Sequence, residues 1–212
     1  MPQTIWIARH GNRQDFADPD WHKTALRPHD PALSADGVVQ AKELGQRLVG
    51  EGIDYIFASP FLRTIETAHH VAEALDLPIA LEEGLSEFLN PDWFAQRPEL
   101  LRMETLRQFY PRVDPTYRAR VRAMFPETGE EALARAGQTA QVLATEFGED
   151  ILLIGHGASM LGAAWGLVGG RPEIQCHLCG LVKLVGQKRC WKLELNGDIS
   201  HLSAAAEHLR FY

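Results

Sequence analysis

Long apolar runs are missing from this 212-residue sequence. None approaches the roughly 20 consecutive apolar residues that a membrane-spanning helix needs, so a soluble protein is expected. Cysteine is scarce. Cys176, Cys179 and Cys190 are too few and too closely clustered for a disulfide-stapled secreted fold. The N-terminus also lacks a basic stretch followed by an apolar core, so a reducing cytoplasm is the expected compartment. An excess of basic residues is absent as well: 21 Lys and Arg stand against 28 Asp and Glu, for a formal net charge of -7. That balance argues against wholesale binding to nucleic acid or anionic membrane, and any anion site must be a local positive island. Repeats and low-complexity tracts are missing too, and 212 residues with 45% apolar side chains suit one compact domain.

What is present alternates. Thr4 to Ala8 is a short β-favouring apolar run that stops at Arg9-His10-Gly11. After a polar stretch to Leu33, Ser34 supplies an N-cap. Val38, Ala41, Leu44, Gly45 and Leu48 then recur at helical spacing until Gly50 and Gly52. Ile53 to Ala58 reads as a second strand, broken by Ser59-Pro60, and Ile65, Ala68, Val71, Ala72 and Leu75 mark a second helix. Leu77 to Leu81 reads as a short strand. Residues 82–126 are irregular, rich in aromatics and arginines, and are expected to form a lid or insertion within a single domain spanning 1–212. Leu133 to Phe147 is an amphipathic helix, Ile151 to Ile154 a buried strand ending at Gly155-His156-Gly157, and Ser159 to Val168 a further helix. Leu181 to Leu195 reads as a hairpin turning near Gly186-Gln187. The predicted class is therefore α/β: a three-layer α/β/α arrangement around a mostly parallel sheet. In such sheets ligands bind beyond the carboxyl ends of the strands, where Arg9, His10, Arg63 and His156 are all predicted to converge.

A histidine just past a buried strand, flanked by Arg9 and Gly11, is placed for exposure to a ligand, and the glycine lets that ligand approach the backbone. Neighbouring arginines disfavour a second positive charge and so keep an imidazole neutral and nucleophilic. The same arginines suit phosphate, because a guanidinium donates a planar fork of hydrogen bonds and stays charged. Arg9, Arg13 and Arg63 are the candidates.

The ordered set Arg9-His10-Gly11, Leu33-Ser34-Ala35-Asp36-Gly37 with Gln40-Ala41, Ser59-Pro60 with Arg63-Thr64 and Thr67-Ala68, Glu87, and Gly155-His156-Gly157 resembles the histidine phosphatase (phosphoglycerate mutase-like) superfamily. The resemblance runs from Ile5 to the closing hairpin. It implies that His10 becomes phosphorylated, that Arg9, Arg63 and His156 surround the phosphate, and that Glu87 serves as general acid and base. It also implies no metal and no cofactor. Arg9-His10-Gly11-Asn12-Arg13 with Asp15 and Trp21, Asp30-Pro31-Ala32-Leu33, Gly84-Leu85-Ser86-Glu87 with Trp93, and Asp114-Pro115-Thr116-Tyr117 are similar to one branch. That branch holds the phosphatase domain of the suppressor of T-cell receptor signalling proteins and the steroid-phosphate phosphatases, and there Arg13 matches a further phosphate-site arginine. The Ser and Trp-Asn pattern that follows the histidine in mutases is absent, which favours a phosphatase over a phosphoglycerate mutase-type phosphoryl transferase. A catalytically silent phospholigand-binding protein is the reading from outside the enzymes, and the intact set with Glu87 argues against it.

Sugar phosphates, phosphorylated acids, aromatic phosphates and phosphotyrosyl peptides all present the same phosphate to such a site, so discrimination falls to residues 82–126. The expected partner is a small phosphate ester or a phosphopeptide, and a homodimer is compatible with the sequence. Trp21, Phe88, Trp93 and Phe94 read equally as a leaving-group wall or as core. Cys176-His177-Leu178-Cys179 falls short of the four ligands of a structural zinc site. His69 and His70 read as packing or solvated residues, and Arg97, Arg102, Arg107 and Arg112 as mostly solvated, with one of the four able to reach a second anionic group on the substrate. His22, His29, His177, His201 and His208 show no partner pattern in the sequence.

Overall fold

The computed structural model describes residues 2–203 except 19 and 189, so His208 lies outside the described residues. The chain opens with β1 (Gln3–Arg9), two single-turn helices, α1 (Gln14–Ala17) and α2 (Trp21–Thr24), and the long α3 (Ala35–Leu48). It continues through β2 (Tyr55–Ala58), α4 (Leu62–Leu75), β3 (Ile79–Leu81), a 3₁₀ turn at Glu83–Leu85, and α5 (Met103–Phe109). It closes with α6 (Gly129–Phe147), β4 (Ile151–Gly155), α7 (Gly157–Val168), β5 (Leu181–Gln187) and β6 (Cys190–Asp198). No helix among the described residues is long and apolar enough to cross a membrane.

Six strands form one sheet in the order β3-β2-β4-β1-β5-β6. The first four run parallel, and β5 and β6 are antiparallel additions at one edge. Alternate residues of the central strands feed two cores. Trp6, Ala8, Ile56, Ala58, Leu152 and Ile154 face Leu44, Leu48, Ile65 and Val71 of α3 and α4. Ile5, Ile7, Phe57, Ile151 and Leu153 face Ala140, Leu143, Met160 and Leu167 of α6 and α7. Burial on both faces is why these strands read as unbroken apolar runs. Each fully buried aliphatic side chain contributes about 1.5–3 kcal/mol to such layers.

The predicted three-layer fold is present, with three local differences. Strands β2 and β3 begin two residues later than the apolar runs suggest, and α7 begins two residues earlier, immediately after His156. The polar stretch before Leu33 carries α1 and α2. The hairpin turns through Lys188, with φ of 56°, rather than at Gly186. Gly186 lies inside β5 opposite Trp191, where a Cβ would stand 2.2 Å from the Cys190 carbonyl oxygen. It is a close-approach glycine and not a turn glycine.

Topology places the site. Strands β1 and β4 are neighbours, yet α3 follows β1 onto one face and α7 follows β4 onto the other. That divergence opens a crevice at their carboxyl ends. Arg9 pairs with Gly155 in the register, so His10 and His156 each lie one residue beyond a matched pair. The His10 amide donates to the Gly155 carbonyl at 3.0 Å, and the Ser59 amide donates to the Ile154 carbonyl at 3.0 Å.

Candidate active site

The loop that carries His10 is held by backbone contacts that explain the surrounding motifs. The Gly11 amide donates to Thr67 Oγ1 at 3.1 Å, and the Asn12 amide donates to Gln40 Oε1 at 2.8 Å. The Asn12 carbonyl accepts from the Ser34 amide at 2.9 Å, while Ser34 Oγ caps α3 by accepting from the Gly37 amide at 3.1 Å. Gly37 packs directly on this loop, and a Cβ there would lie 2.1 Å from the Asn12 carbonyl oxygen.

The rings of His10 and His156, 146 residues apart in sequence, have centroids 5.3 Å apart at an interplanar angle of 61°. Both are buried, at 1% and 0% exposure. His10 Nδ1 lies 2.7 Å from the Gly11 carbonyl oxygen. That acceptor places the proton of the neutral ring on Nδ1 and leaves the Nε2 lone pair free. Burial first, then Arg63, Arg9, His156 and Arg13, hold the His10 pKa well below the ordinary imidazole value. His156 is held down to about 4, chiefly by burial; Glu87 pulls it up and Arg63 pushes it down. Its Nε2 lies 2.8 Å from Ser59 Oγ. Its Nδ1 lies 3.3 Å from Glu87 Oε2.

The guanidinium groups gather on the same edge. Arg63, in the first turn of α4, is 2% exposed and reaches Glu87 Oε2 at 3.0 Å and His156 Nδ1 at 3.1 Å through Nη2. Its Nε and Nη1 are buried without a hydrogen-bond partner among the described residues, and such donors carry a desolvation cost until an acceptor arrives. Burial lowers the Arg63 pKa to about 10, which leaves it charged at neutral pH. Arg9, at the end of β1, donates through Nη1 to the Cys176 carbonyl at 3.0 Å, and burial lowers its pKa also. Arg13 is paired through Nε and Nη2 with Asp15.

Glu87 sits between these cations. Burial favours its neutral form, but His156, by charge and hydrogen bond, and then Arg63 and His10 hold its carboxyl well below the usual carboxylate range. It is therefore an anion resting on a guanidinium and an imidazole. The six residues expected from the sequence, Arg9, His10, Arg13, Arg63, Glu87 and His156, are thus brought to one strand edge.

Sequence reasoning missed the groups that hold the Glu87 loop. Arg135 of α6, 7% exposed, donates to the carbonyls of Gly84 at 2.8 Å, Ser86 at 3.2 Å and Glu87 at 3.2 Å. Its other edge makes a two-point pair with Glu127, at 2.9 and 2.6 Å. Glu82, fully buried, accepts from the amides of Gly84, Arg120 and Val121 and from the Tyr117 hydroxyl. It ties the two ends of the 82–126 segment together. Asp30 accepts from the Leu62 amide at 2.7 Å and so anchors the turn that bears Arg63.

A cleft of about 840 Å³ opens over the arginines and Glu87, and Phe88, Trp93 and Phe94 form part of its wall. Trp21 does not: its indole donates to the Pro28 carbonyl at 3.1 Å, bracing the loop before Leu33. His22, His29, His177 and Cys176 also line the cleft. Cys179 is buried and Cys190 exposed. His69, His70 and Glu73 on α4 bring their ligand-type atoms within 4.8 Å of one another but do not line the cleft. Arg97 and Arg112 pair with Glu83 and Asp76 at the surface.

Comparison with known proteins bears on the family and the fold. The sequence model of the histidine phosphatase superfamily (branch 1) matches residues 5–199. The chain is 37% identical over 114 residues to the transcription factor tau 55 kDa subunit of Saccharomyces cerevisiae, covering 52% of this chain and 26% of that protein. It is 29% identical over 157 residues to the human ubiquitin-associated and SH3 domain-containing protein A, covering 68% of this chain and 24% of that protein. It thus spans about a quarter of the length of these relatives. Among solved structures, the ecdysone phosphate phosphatase from Bombix mori in complex with tungstate superposes with a TM-score of 0.75 at 23% identity. That match covers 90% of this chain and 91% of the other and shows a shared fold.

Proposed function

Because the chain belongs to the histidine phosphatase superfamily, we propose that it is a phosphomonoesterase that works through a phosphohistidine on His10. The observation that carries this reading is the pairing of the His10 and His156 rings at 5.3 Å, with His10 Nδ1 committed to a carbonyl and Nε2 left as the nucleophile. Nε2 attacks phosphorus as the ester P–O bond breaks. Arg9, Arg13, Arg63 and His156 then stabilise charge on the equatorial oxygens, which is where most phosphoryl-transfer catalysis arises. Glu87 gives its proton to the leaving alkoxide. It then takes one from the water that attacks the phosphohistidine, so that inorganic phosphate leaves and His10 returns to its neutral form.

In the resting site Glu87 is an anion held by Arg63 and His156. An arriving phosphate competes with Glu87 for that guanidinium and that imidazole. Its own negative charge then raises the Glu87 pKa and makes the residue an acid when one is needed. The arginines of the site supply the charge stabilisation that a metal ion gives other phosphatases, so we read the enzyme as metal-independent. We read residues 82–126 as an insertion in a single domain that walls the cleft, and the substrate as a small phosphate ester.

The test is release of phosphate from an aryl phosphate by the purified protein and its His10→Ala variant, with and without chelator. Activity that persists in chelator, vanishes in the variant and leaves an acid-labile phosphoryl group on the wild-type protein supports the reading. Loss in chelator, or full activity of the variant, overturns it.

A further inference from the structure

Outside the cleft, α4 gathers a second group of donor side chains. His69, His70 and Glu73 each bring one ligand-type atom within 4.8 Å of the other two. Residues three and four apart on a helix are neighbours on its surface. Glu73 follows His69 by four residues and His70 by three, so its carboxylate reaches both rings. One oxygen, Oε1, is 3.6 Å from His69 Nε2, and Oε2 is 3.1 Å from His70 Nδ1.

The two imidazoles are already in place. Both are half-buried, and the His69 ring packs against Tyr110 at 5.4 Å and against His70 at 5.3 Å. Tyr110 is fixed in turn by its hydroxyl, which donates to Glu66 at 2.7 Å. Side chains held in this way lose little rotamer freedom on meeting a ligand, and that loss is a main cost of assembling a site. Glu73 is the exposed member, open to an entering ion.

Hydrogen bonding leaves the group incomplete. The His69 ring makes no hydrogen bond among the described residues, since Nε2 is out of hydrogen-bond reach of Glu73 and Nδ1 is buried without a partner. An ion on Nε2 would give that ring a strong partner on the side where Glu73 stands. A tetrahedral ion with bonds of about 2.0–2.2 Å holds its donors about 3.3–3.6 Å apart, close to both imidazole–carboxylate separations. Two nitrogens and one oxygen suit a borderline cation such as Zn²⁺, whereas Mg²⁺ and Ca²⁺ call for oxygen donors. Water completes the fourth position. Of the neighbouring cations, Arg112 is occupied by Asp76 at 2.8 Å, and Lys42 is exposed on a flexible stem.

We propose that His69, His70 and Glu73 form a binding site for a zinc-class divalent cation, separate from the phosphatase cleft. The ion would tie together a turn of the helix whose first half carries Arg63 and also Thr67, the acceptor for the Gly11 amide. It takes no part in phosphoryl transfer, because none of its three ligands lines the cleft.

The experiment titrates the metal-free chain with Zn²⁺ against a chromophoric chelator, beside its Glu73→Gln and His70→Ala variants. The wild type is expected to hold zinc at least 10-fold more tightly than either variant, since loss of even an outer-shell partner costs about 10–100-fold in metal affinity. Mg²⁺ should not displace the zinc. Glu73 is exposed and its amide variant nearly isosteric, so Glu73→Gln decides alone should His70→Ala fail to fold. Zinc affinity left unchanged by Glu73→Gln, or by a folded His70→Ala, places the ion elsewhere and overturns the proposal. Failure of the wild type to compete with the chelator, or displacement of its zinc by Mg²⁺, also overturns it. The measurement reads binding alone and holds whether or not the protein hydrolyses phosphate esters.

Discussion

Arg135 holds Glu87 by its backbone: Nη2 donates to the Glu87 carbonyl at 3.2 Å, while Nη1 reaches back to the Gly84 and Ser86 carbonyls. The carboxylate at the centre of the site is thus positioned from behind by a residue 48 positions away, whose charge is met by Glu127.

Removing that guanidinium leaves Glu127 buried and unpaired and three carbonyls without a donor. Arg135→Ala is therefore expected to cost about 3–5 kcal/mol of stability in urea denaturation. The double variant Arg135→Met/Glu127→Leu is expected to recover much of that loss, because it removes both charges together. If the double variant is no more stable than the single one, the pair is not the source of the effect.

The buried imidazoles set a direction for acid stability. His156 titrates near 4 in the fold, against about 6.5 in an unfolded chain. Between those values the unfolded chain binds a proton that the folded protein refuses, so stability falls as pH drops from about 6.5 toward 4, by on the order of 3 kcal/mol. His10, also depressed, acts in the same sense. Glu87 has a lowered pKa, so its contribution is present above the unfolded value of about 4.3 and is lost only below it. Urea denaturation between pH 7 and 4.5 therefore reads mainly the depressed imidazoles, His69 and His201 included, against an opposing contribution from Asp30, whose pKa burial raises. Stability should decline through that window, with a shallower decline in His156→Gln; a flat wild-type profile would exclude the burial argument.

The convergence of Arg9, His10, Arg63 and His156 was legible because parallel strands carry their carboxyl ends to one edge, whereas Glu87 and Arg13 were named through the family resemblance. Arg9, His10 and His156 sit at or just past such ends. The alternation of Trp6 and Ala8 against Ile5 and Ile7 into two cores likewise follows from apolar runs with helices on both sides. Arg135 and Glu82 were not legible. Their partners are mainly backbone groups of an irregular segment, and backbone amides and carbonyls leave no signature in the side-chain sequence. The one available signal was Thr139, four residues after Arg135 on the same helical stripe and fully buried. Gly186 misled for a related reason, since glycine marks both turns and close backbone approach, and only the strand register separates the two.

Gly37 offers a test of how closely the nucleophile loop must be held. An added Cβ would meet the Asn12 carbonyl oxygen at 2.1 Å and the Asn12 amide nitrogen at 2.9 Å. Both are backbone atoms of the loop that follows His10. Gly37→Ala is expected to cost about 1–3 kcal/mol through overpacking and about 100-fold in kcat/KM through displacement of His10 and Arg13. Far-ultraviolet circular dichroism should stay unchanged. Wild-type activity in a folded Gly37→Ala protein would show that the loop tolerates the shift.

Glu87 separates the two halves of the proposed reaction. With an alkyl phosphate the departing alkoxide needs a proton, so Glu87→Gln is expected to lower kcat/KM by about 10²–10⁴-fold. With p-nitrophenyl phosphate the departing nitrophenolate is stable unprotonated, so the first phosphoryl transfer should survive the substitution. Hydrolysis of the phosphohistidine, which needs a base, should not. Rapid mixing is therefore expected to show a burst of nitrophenolate approaching one equivalent per enzyme, followed by a slow steady state. The neutral amide of the Glu87→Gln variant no longer presents a full negative charge to Arg63 and His156, so inorganic phosphate should bind the variant more tightly than the wild type. Equal losses on both substrates without a burst would remove Glu87 from proton transfer and leave it only an electrostatic part in the site.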